Sequence, residues 1–293
     1  MIADLKRTFH FIHNHPLGSR HQLKACWRWL SWQARSRLSS SPITVPWIKD
    51  TCLVLEQGMT GATGNWYCGL HEFYDMALLL HFFGHSSDSD NEWFLDVGAN
   101  VGTYTVLAGR ACGVHCLVAE PVPSTFDQLK RNVFANRIQD RVNLYRVAVG
   151  SSPGTLQFTS GLGPMNQVST ENTLDNNGVI EVPVMTLNEI TEGKNVSFWK
   201  IDVEGFENEV LKGASEALKD NSVQVVLLEA DNVAIQSCML QAGFTLVTYN
   251  PWKRILVESE TNSGNNNVWV RSILDVTNRI KKSPPITVFG ETI

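Results

Sequence analysis

No apolar run in the chain approaches the roughly 18 residues that a membrane-spanning helix requires. The opening stretch, MIADLKRTFHFIHNHPLG, has no apolar core of the kind that directs secretion. These two absences point to the cytoplasm. Cysteine is sparse and irregular: Cys26, Cys52, Cys68, Cys112, Cys116 and Cys238 contain no C-x-x-C pair. A disulfide framework is therefore not expected, and the thiols should be reduced, several of them buried as small hydrophobes. Excess charge is missing too. Lys and Arg number 24 against 29 Asp and Glu, a formal net charge of -5. That balance gives no electrostatic case for nucleic acid. What the chain does have is apolar material, 43% of 293 residues. This suffices for one large domain, or one domain with an extension.

The texture changes near residue 91. Residues 1–90 hold most of the tryptophans and seven of the eight histidines. Residues 91–272 alternate short apolar runs with helical patterns, as in βαβ units around a mainly parallel sheet. Strands are predicted at Trp93–Val97, Val114–Ala119, Val142–Val147, Ser197–Asp202, Val223–Glu229, Thr245–Tyr249 and Val268–Arg271. Helices are predicted at Pro123–Asn136, Phe206–Leu218 and Val233–Ala242. A Gly/Asn-rich stretch between Gly150 and Ile190 holds two further short strands, Thr155–Phe158 and Val179–Val184. Residues 273–293, with Pro284 and Pro285, read as a tail.

Phe94-Leu-Asp-Val-Gly-Ala-Asn-Val-Gly-Thr-Tyr104 is the most informative segment. An apolar strand ends in Asp96, and Gly98 and Gly102 bracket a tight turn into a helix. Glycines there let the backbone pass close to a ligand at the first βα turn of a doubly wound sheet. A dinucleotide site needs G-x-G-x-x-G, but Asn100 and Thr103 stand at the second and third glycine positions. The Gly-Lys-Ser/Thr ending of a phosphate loop is absent as well. The next strand ends in Glu120-Pro121, where a carboxylate can accept both hydroxyls of a ribose. D-x-G-x-x-x-G with a strand-end Glu is the pattern of S-adenosylmethionine binding. It assigns Asp96, Gly98, Asn100, Gly102, Glu120 and Pro121 to the cofactor. Ala148, after the third strand, falls where the adenine would lie.

The second signature is Phe198-Trp-Lys-Ile-Asp-Val-Glu-Gly-Phe-Glu-Asn-Glu-Val-Leu-Lys-Gly-Ala214. Strand alternation puts Lys200 and Asp202 on one face of an otherwise apolar central strand, a costly placement unless they have a role. Here the sequence resembles the FkbM-type methyltransferases. The matching residues are Asp96 to Gly102, Glu120-Pro121, the run Lys200-Ile-Asp-Val-Glu-Gly-Phe-Glu207, and Gly213-Ala214. Glu229, the pair Gly243-Phe244 and the run Asn267-Val-Trp-Val270 support it. The resemblance covers about residues 91 to 271. It implies an α/β fold, the class I methyltransferase Rossmann-like sheet, mainly parallel with an antiparallel last strand. It also implies methyl transfer from S-adenosyl-L-methionine, usually to an oxygen. The acceptor is then a hydroxyl-bearing small molecule, such as a saccharide or natural product. A nicotinamide oxidoreductase and a non-catalytic binding module are the rival readings.

Methyl transfer to an alcohol needs alignment and removal of one proton. No histidine follows His115, so the later strand ends offer Asp202, Glu204 and Glu229. Asp202 or Glu204 is favoured as the acid/base or orienting pair, with Lys200 setting the charge or orientation of Asp202. The three carboxylates could give oxygen ligands to a divalent ion, but their spacing does not demand one and no metal is assigned.

Residues 1–90 are read as a helical and Gly-rich lid. His10, His13 and His15 lack a fourth metal ligand and are read as surface or packing histidines. Gln22–Leu38 suits a helix with Leu23, Trp27, Leu30, Ala34 and Leu38 on one side. Trp27, Trp29 and Trp32 among basic residues suit a helix on a membrane surface, but are more simply packed against their own domain. Gly58–Gly69 reads as a loop that covers the sheet edge, followed by a helix over Leu70–Phe83. His71, at that junction with Glu72, is a further candidate base.

Overall fold

The computed structural model describes residues 2–85, 91–159, 179–259 and 266–293; residues 160–178 of the Gly/Asn-rich stretch lie outside the described residues. The chain opens with helices α1 (Ile2–Asn14) and α2 (Gln22–Leu38). An antiparallel pair follows, β1 (Ile43–Pro46) and β2 (Cys52–Leu55), then α3 (Thr60–Cys68) and α4 (Phe73–Phe83). The alternating part begins with β3 (Trp93–Val97), α5 (Thr103–Val106) continued by a π-helical turn over Leu107–Cys112, β4 (His115–Ala119), α6 (Pro123–Ala135) and β5 (Val142–Tyr145). A small side sheet comes next: β6 (Ala148–Val149), β7 (Gly154–Thr159) and β8 (Val179–Met185). The chain returns through α7 (Leu187–Thr191), β9 (Val196–Ile201), α8 (Glu207–Lys212), β10 (Val225–Leu228), α9 (Val233–Gln241), β11 (Thr245–Asn250), β12 (Ile255–Glu258) and β13 (Asn267–Val270). It closes with α10 (Ile273–Lys281) and a hairpin of β14 (Thr287–Val288) and β15 (Glu291–Thr292).

Eight strands form the main sheet in the order β12-β11-β13-β10-β9-β3-β4-β5. Strands β10, β9, β3, β4 and β5 run parallel, and β13 is antiparallel to both its neighbours. This is the class I methyltransferase sheet with its antiparallel last strand. From β3 the chain winds outward to β5, then returns to lay β9 on the other side of β3. The strand order therefore reverses between β3 and β9. Such a switch point leaves a crevice over the carboxyl ends of the strands.

Each face of the sheet is covered, which is why the central strands read as continuous apolar runs. On one face Phe94, Val118, Phe198, Val225 and Val247 share a core with Leu53, Leu55, Phe82 and Phe83 from the N-terminal segment. On the other, Leu95, Leu117, Trp199, Ile201 and Val226 pack with Leu187, Val210 and Met239.

Three expectations are corrected. Gly58–Gly69 is not a loop, because α3 occupies most of it. Its weak helix propensity is overridden by packing against α2 and by burial of Ala62, Tyr67 and Cys68. A side chain at Gly64 would collide with the His71 ring, so the small residue is needed there. The helix expected over Phe206–Leu218 stops at Lys212. Gly213 sits so close to the Gly150 carbonyl that a Cβ would lie 2.1 Å from its oxygen. The final segment is no tail. Ser272 caps α10, Val276 and Ile280 are buried, and Arg279 donates to Glu92 at 2.6 Å and to the Phe82 carbonyl at 2.7 Å. Pro284 and Pro285 merely separate the helix from the hairpin. The tryptophans of α2 also divide: Trp32 is buried, Trp29 half-buried, and Trp27 exposed.

Candidate functional site

The loop after β3 is shaped by two backbone requirements. Gly98 has φ +71°, and a Cβ there would lie 1.7 Å from the Asp202 carbonyl oxygen. Only glycine lets the β3 loop come so close to the end of β9. Asn100 follows with φ 52° and donates its backbone N–H to Glu120 Oε2 at 3.0 Å. The second Glu120 oxygen accepts from Val122 N at 3.0 Å. Glu120 is thus anchored by two amides, with each oxygen left a lone pair for a ligand. Burial pushes its pKa up to about 7, against the pull of those two hydrogen bonds.

An open cleft begins at Glu120. Glu120, Pro121 and Ala148 line it, with Gly98, Asn100, Asp202 and Glu204. Val122, Val147, Val149 and Phe206 add apolar walls that suit a planar base. A second cavity shares Gly98, Asn100, Thr125 and Asp202 with the first. It is roofed by α3 and the segment after it, through Gly61, Ala62, Asn65, His71 and Glu72, and it reaches Thr103, Tyr104 and Lys200.

Asp96 and Gly102 line neither cavity. Asp96 is fully buried beneath the loop and accepts from the Thr105 hydroxyl at 2.6 Å. Burial raises its pKa to about 6, against the nearby Lys200 charge. It supports the loop from within. Gly102, at φ +83°, turns the chain into α5.

The end of β9 supplies the charged centre. Lys200 Nζ lies 2.7 Å from Asp202 Oδ2 and 4.8 Å from the centre of the Tyr104 ring. The Lys200 side chain is 4% exposed and that of Asp202 26%. Burial alone would lower the Lys200 pKa, but the charges of Asp202, Glu72 and Asp96 more than compensate and hold it as an ammonium. Burial would raise Asp202, yet the Lys200 charge and a hydrogen bond from Glu229 keep it below the usual carboxylate range. Glu229 is raised, first by burial and then by sharing that hydrogen bond with an ionised partner. Glu204, at φ 52°, is raised by partial burial and by the charge of Asp202. Glu207 Oε1 accepts from Val203 N and Gly205 N and fixes the turn that presents Glu204. Oxygens of Asp202, Glu204 and Glu229 lie within 4.8 Å of one another, so these three could hold a cation.

His71 reaches the second cavity, but its ring is buried against Phe11 at 4.9 Å, and burial lowers its pKa despite Glu72. His10, His13 and His15 form no metal-holding group among the described residues. His15 is instead a buried clasp: Nε2 lies 2.6 Å from Leu70 O, and Nδ1 accepts from Leu17 N and Gly18 N. The residues that sequence reasoning left out are Glu72, Tyr104 and Asn266. Tyr104 donates to Glu72 Oε2 at 2.5 Å, and Asn266 reaches both Glu72 and Asp75. The only sequence sign of Glu72 is its place beside His71 at the end of the Gly-rich segment.

The family model of the methyltransferase FkbM domain matches residues 96–246. A hexuronic acid methyltransferase of Haloferax volcanii is 33% identical over 150 residues, covering 49% of this chain and 57% of that protein. A methyltransferase of Beauveria bassiana is 26% identical over 178 residues, 53% of this chain and 68% of its own. The chain thus spans little more than half the length of the first of these. Among solved structures, the precorrin-6y C5,15-methyltransferase of Geobacter metallireducens superposes with a TM-score of 0.36 at 13% identity, over 69% of this chain and 86% of that one.

Proposed function

Because the chain belongs to the FkbM methyltransferase family, we propose that it transfers a methyl group from S-adenosyl-L-methionine to a hydroxyl oxygen of a saccharide or similar small molecule. The observation that carries this reading is that two adjoining cavities share Gly98, Asn100 and Asp202 as common walls. The shared wall sets an apolar slot and a carboxylate with free lone pairs beside a buried ion pair. Glu120 would hold the two ribose hydroxyls, while Val122, Ala148 and Phe206 would flank the adenine. Glu72, already ordered by Tyr104, offers a carboxylate to the amino group at the methionine end. When bound, the cofactor supplies an electrophilic methyl carbon on positively charged sulfur.

The chain's own task is then alignment and proton removal. Asp202, kept ionised by Lys200, can accept the acceptor's O–H and hold its oxygen in line. A carboxylate with a depressed pKa is a weak base. It suffices where the proton leaves as the methyl arrives, because the oxygen has by then become strongly acidic. Glu204, with its raised pKa and exposed position, can relay that proton to solvent. Helix α3 closes the second cavity from above and limits water. Polar groups there, including Gln57, Asn65 and Gln128, suit an acceptor with several hydroxyls. The substrate of the Haloferax relative supports a sugar acid as the first class to try.

The experiment is incubation with isotopically labelled donor and a panel of uronic acids, neutral hexoses and polyols. A product heavier by one labelled methyl, stable to alkali as an ether, is expected. A labelled base-labile ester, or a label found only on nitrogen, would overturn the hydroxyl assignment.

A further inference from the structure

Helix α2 faces the wrong way for an ordinary surface helix. Leu23, Trp27, Leu30, Ala34 and Leu38 recur at helical spacing, and at 100° per residue they fall within an arc of about 80°. A stripe of this kind normally meets the core. Here it points to solvent: Leu23 is 90% exposed, Trp27 70%, Leu30 52% and Leu38 89%. The buried residues of the helix, Ala25, Trp32 and Ser36, lie on the opposite side. Helix α1 packs on the other side of α2, with the Phe9 ring 5.8 Å from that of the half-buried Trp29.

The surroundings of the stripe are cationic. From Leu5 through Lys49 the sequence has no Asp or Glu, but it has Lys6, Arg7, Arg20, Lys24, Arg28, Arg35, Arg37 and Lys49. The chain as a whole carries -5, so this segment runs against the rest of the molecule. Several of these cations serve the fold: Arg20 pairs with Glu291, Lys24 donates to the Phe289 carbonyl, and Arg28 to that of Trp66. Arg35 and Arg37 are exposed on α2 itself, one on either side of the stripe.

We propose that the outer face of α2 is a docking surface for an anionic lipid bilayer. The helix would lie in the interface plane with its apolar stripe below the headgroups and Arg35 and Arg37 among them. Among the described residues no helix is long and apolar enough to cross a membrane, so the contact is peripheral. A second copy of the chain fits the same face poorly, because it would bring two acid-free cationic segments together. Helix α2 rests on α3, the roof of the second cavity. Docking there would set the cleft beside the lipid surface.

The test is co-sedimentation of the full chain with vesicles of phosphatidylcholine alone and of phosphatidylcholine mixed with phosphatidylglycerol. Binding to the anionic vesicles is expected, weakening as salt is raised. The triple variant Leu23→Gln, Trp27→Gln, Leu30→Gln should bind about a hundredfold more weakly, from the apolar area no longer inserted. Its thermal midpoint should hold, since these side chains are exposed. The double variant Arg35→Ser, Arg37→Ser should lose roughly tenfold or more on anionic vesicles. Wild-type protein that ignores both vesicle types overturns the proposal, as does a triple variant that binds like wild type. A lipid-free dimer that the triple variant dissociates, with no vesicle binding by either protein, would make the stripe a self-association face instead.

Discussion

Replacing Asp202 by Asn removes one charge and almost no volume. In the folded protein Lys200 Nζ donates to Asp202 Oδ2 at 2.7 Å. An amide oxygen can still accept that bond, so the loss is the charge-assisted part of a buried pair. Removing a partner from such a pair can cost about 3–5 kcal/mol. Two features reduce that here. Asp202 is a quarter exposed, and Lys200 retains the fields of Glu72 and Asp96. A stability loss of about 1–2 kcal/mol is expected, or a fall of roughly 2–5 °C in the thermal midpoint. Turnover should fall about 10²–10⁴-fold, the usual scale for a positioned base. Lys200→Met separates charge-setting from catalysis. The Lys200 charge holds the Asp202 pKa down, so its loss should raise that pKa and move the acid limb of kcat/KM to higher pH. The assay is steady-state kinetics across pH, with thermal unfolding of the same preparations. Wild-type turnover in a folded Asp202→Asn protein would make the pair purely structural and leave Glu204 or His71 as the base.

Glu120→Ala should weaken S-adenosylmethionine binding by about 1–3 kcal/mol, measured by calorimetry, the scale of a hydrogen bond to a charged group. Burial holds free Glu120 at about 7, and a ribose diol favours its ionised form. Below that pH the group must lose a proton to bind, so affinity should fall as pH drops through 7, and this dependence should vanish in Glu120→Ala. Gly98→Ala places a methyl group against the Asp202 carbonyl at a positive φ, and urea unfolding should show a loss of at least about 3 kcal/mol. Glu72→Gln should raise the dissociation constant for S-adenosylmethionine more than that for a donor analogue lacking the amino group; equal changes would remove Glu72 from the cofactor site. Deleting residues 1–70 strips Val45, Leu53, Leu55 and Leu70 from the core beneath Phe94 and Phe198, so the truncated chain should lack a cooperative thermal transition.

The sheet was legible because its strands obey one local rule. Buried parallel strands are short apolar runs separated by turn residues, and β3, β4, β9 and β10 fall within two residues of their predicted bounds. The turns proposed to hold the cofactor were legible as structure for the same reason: Gly98, Asn100, Glu120 and Pro121 lie on two consecutive strand-to-helix turns, and both geometry and motif are local. Asp96 lies outside the walls of both cavities, because a strand-end carboxylate can face either the crevice or the layer beneath, and Thr105 draws it beneath. The roof was not legible. Glu72 and Asn266 meet across 194 residues, and no periodicity records such a contact. Helix α3 was hidden by its glycines, which close packing demands and propensity penalises. The α2 stripe was found as a pattern, but its Trp27 was read as packed against the domain, because amphipathic periodicity gives the existence of an apolar face and not its direction.

The central claim is that the crevice between β3 and β9 takes S-adenosylmethionine, and calorimetric titration of the whole chain tests it most directly. The account predicts a saturable single site for S-adenosylmethionine, weakened in Glu120→Ala, and no saturable heat with NADH. Binding of NADH in preference to S-adenosylmethionine, or full-strength S-adenosylmethionine binding in Glu120→Ala, would contradict it.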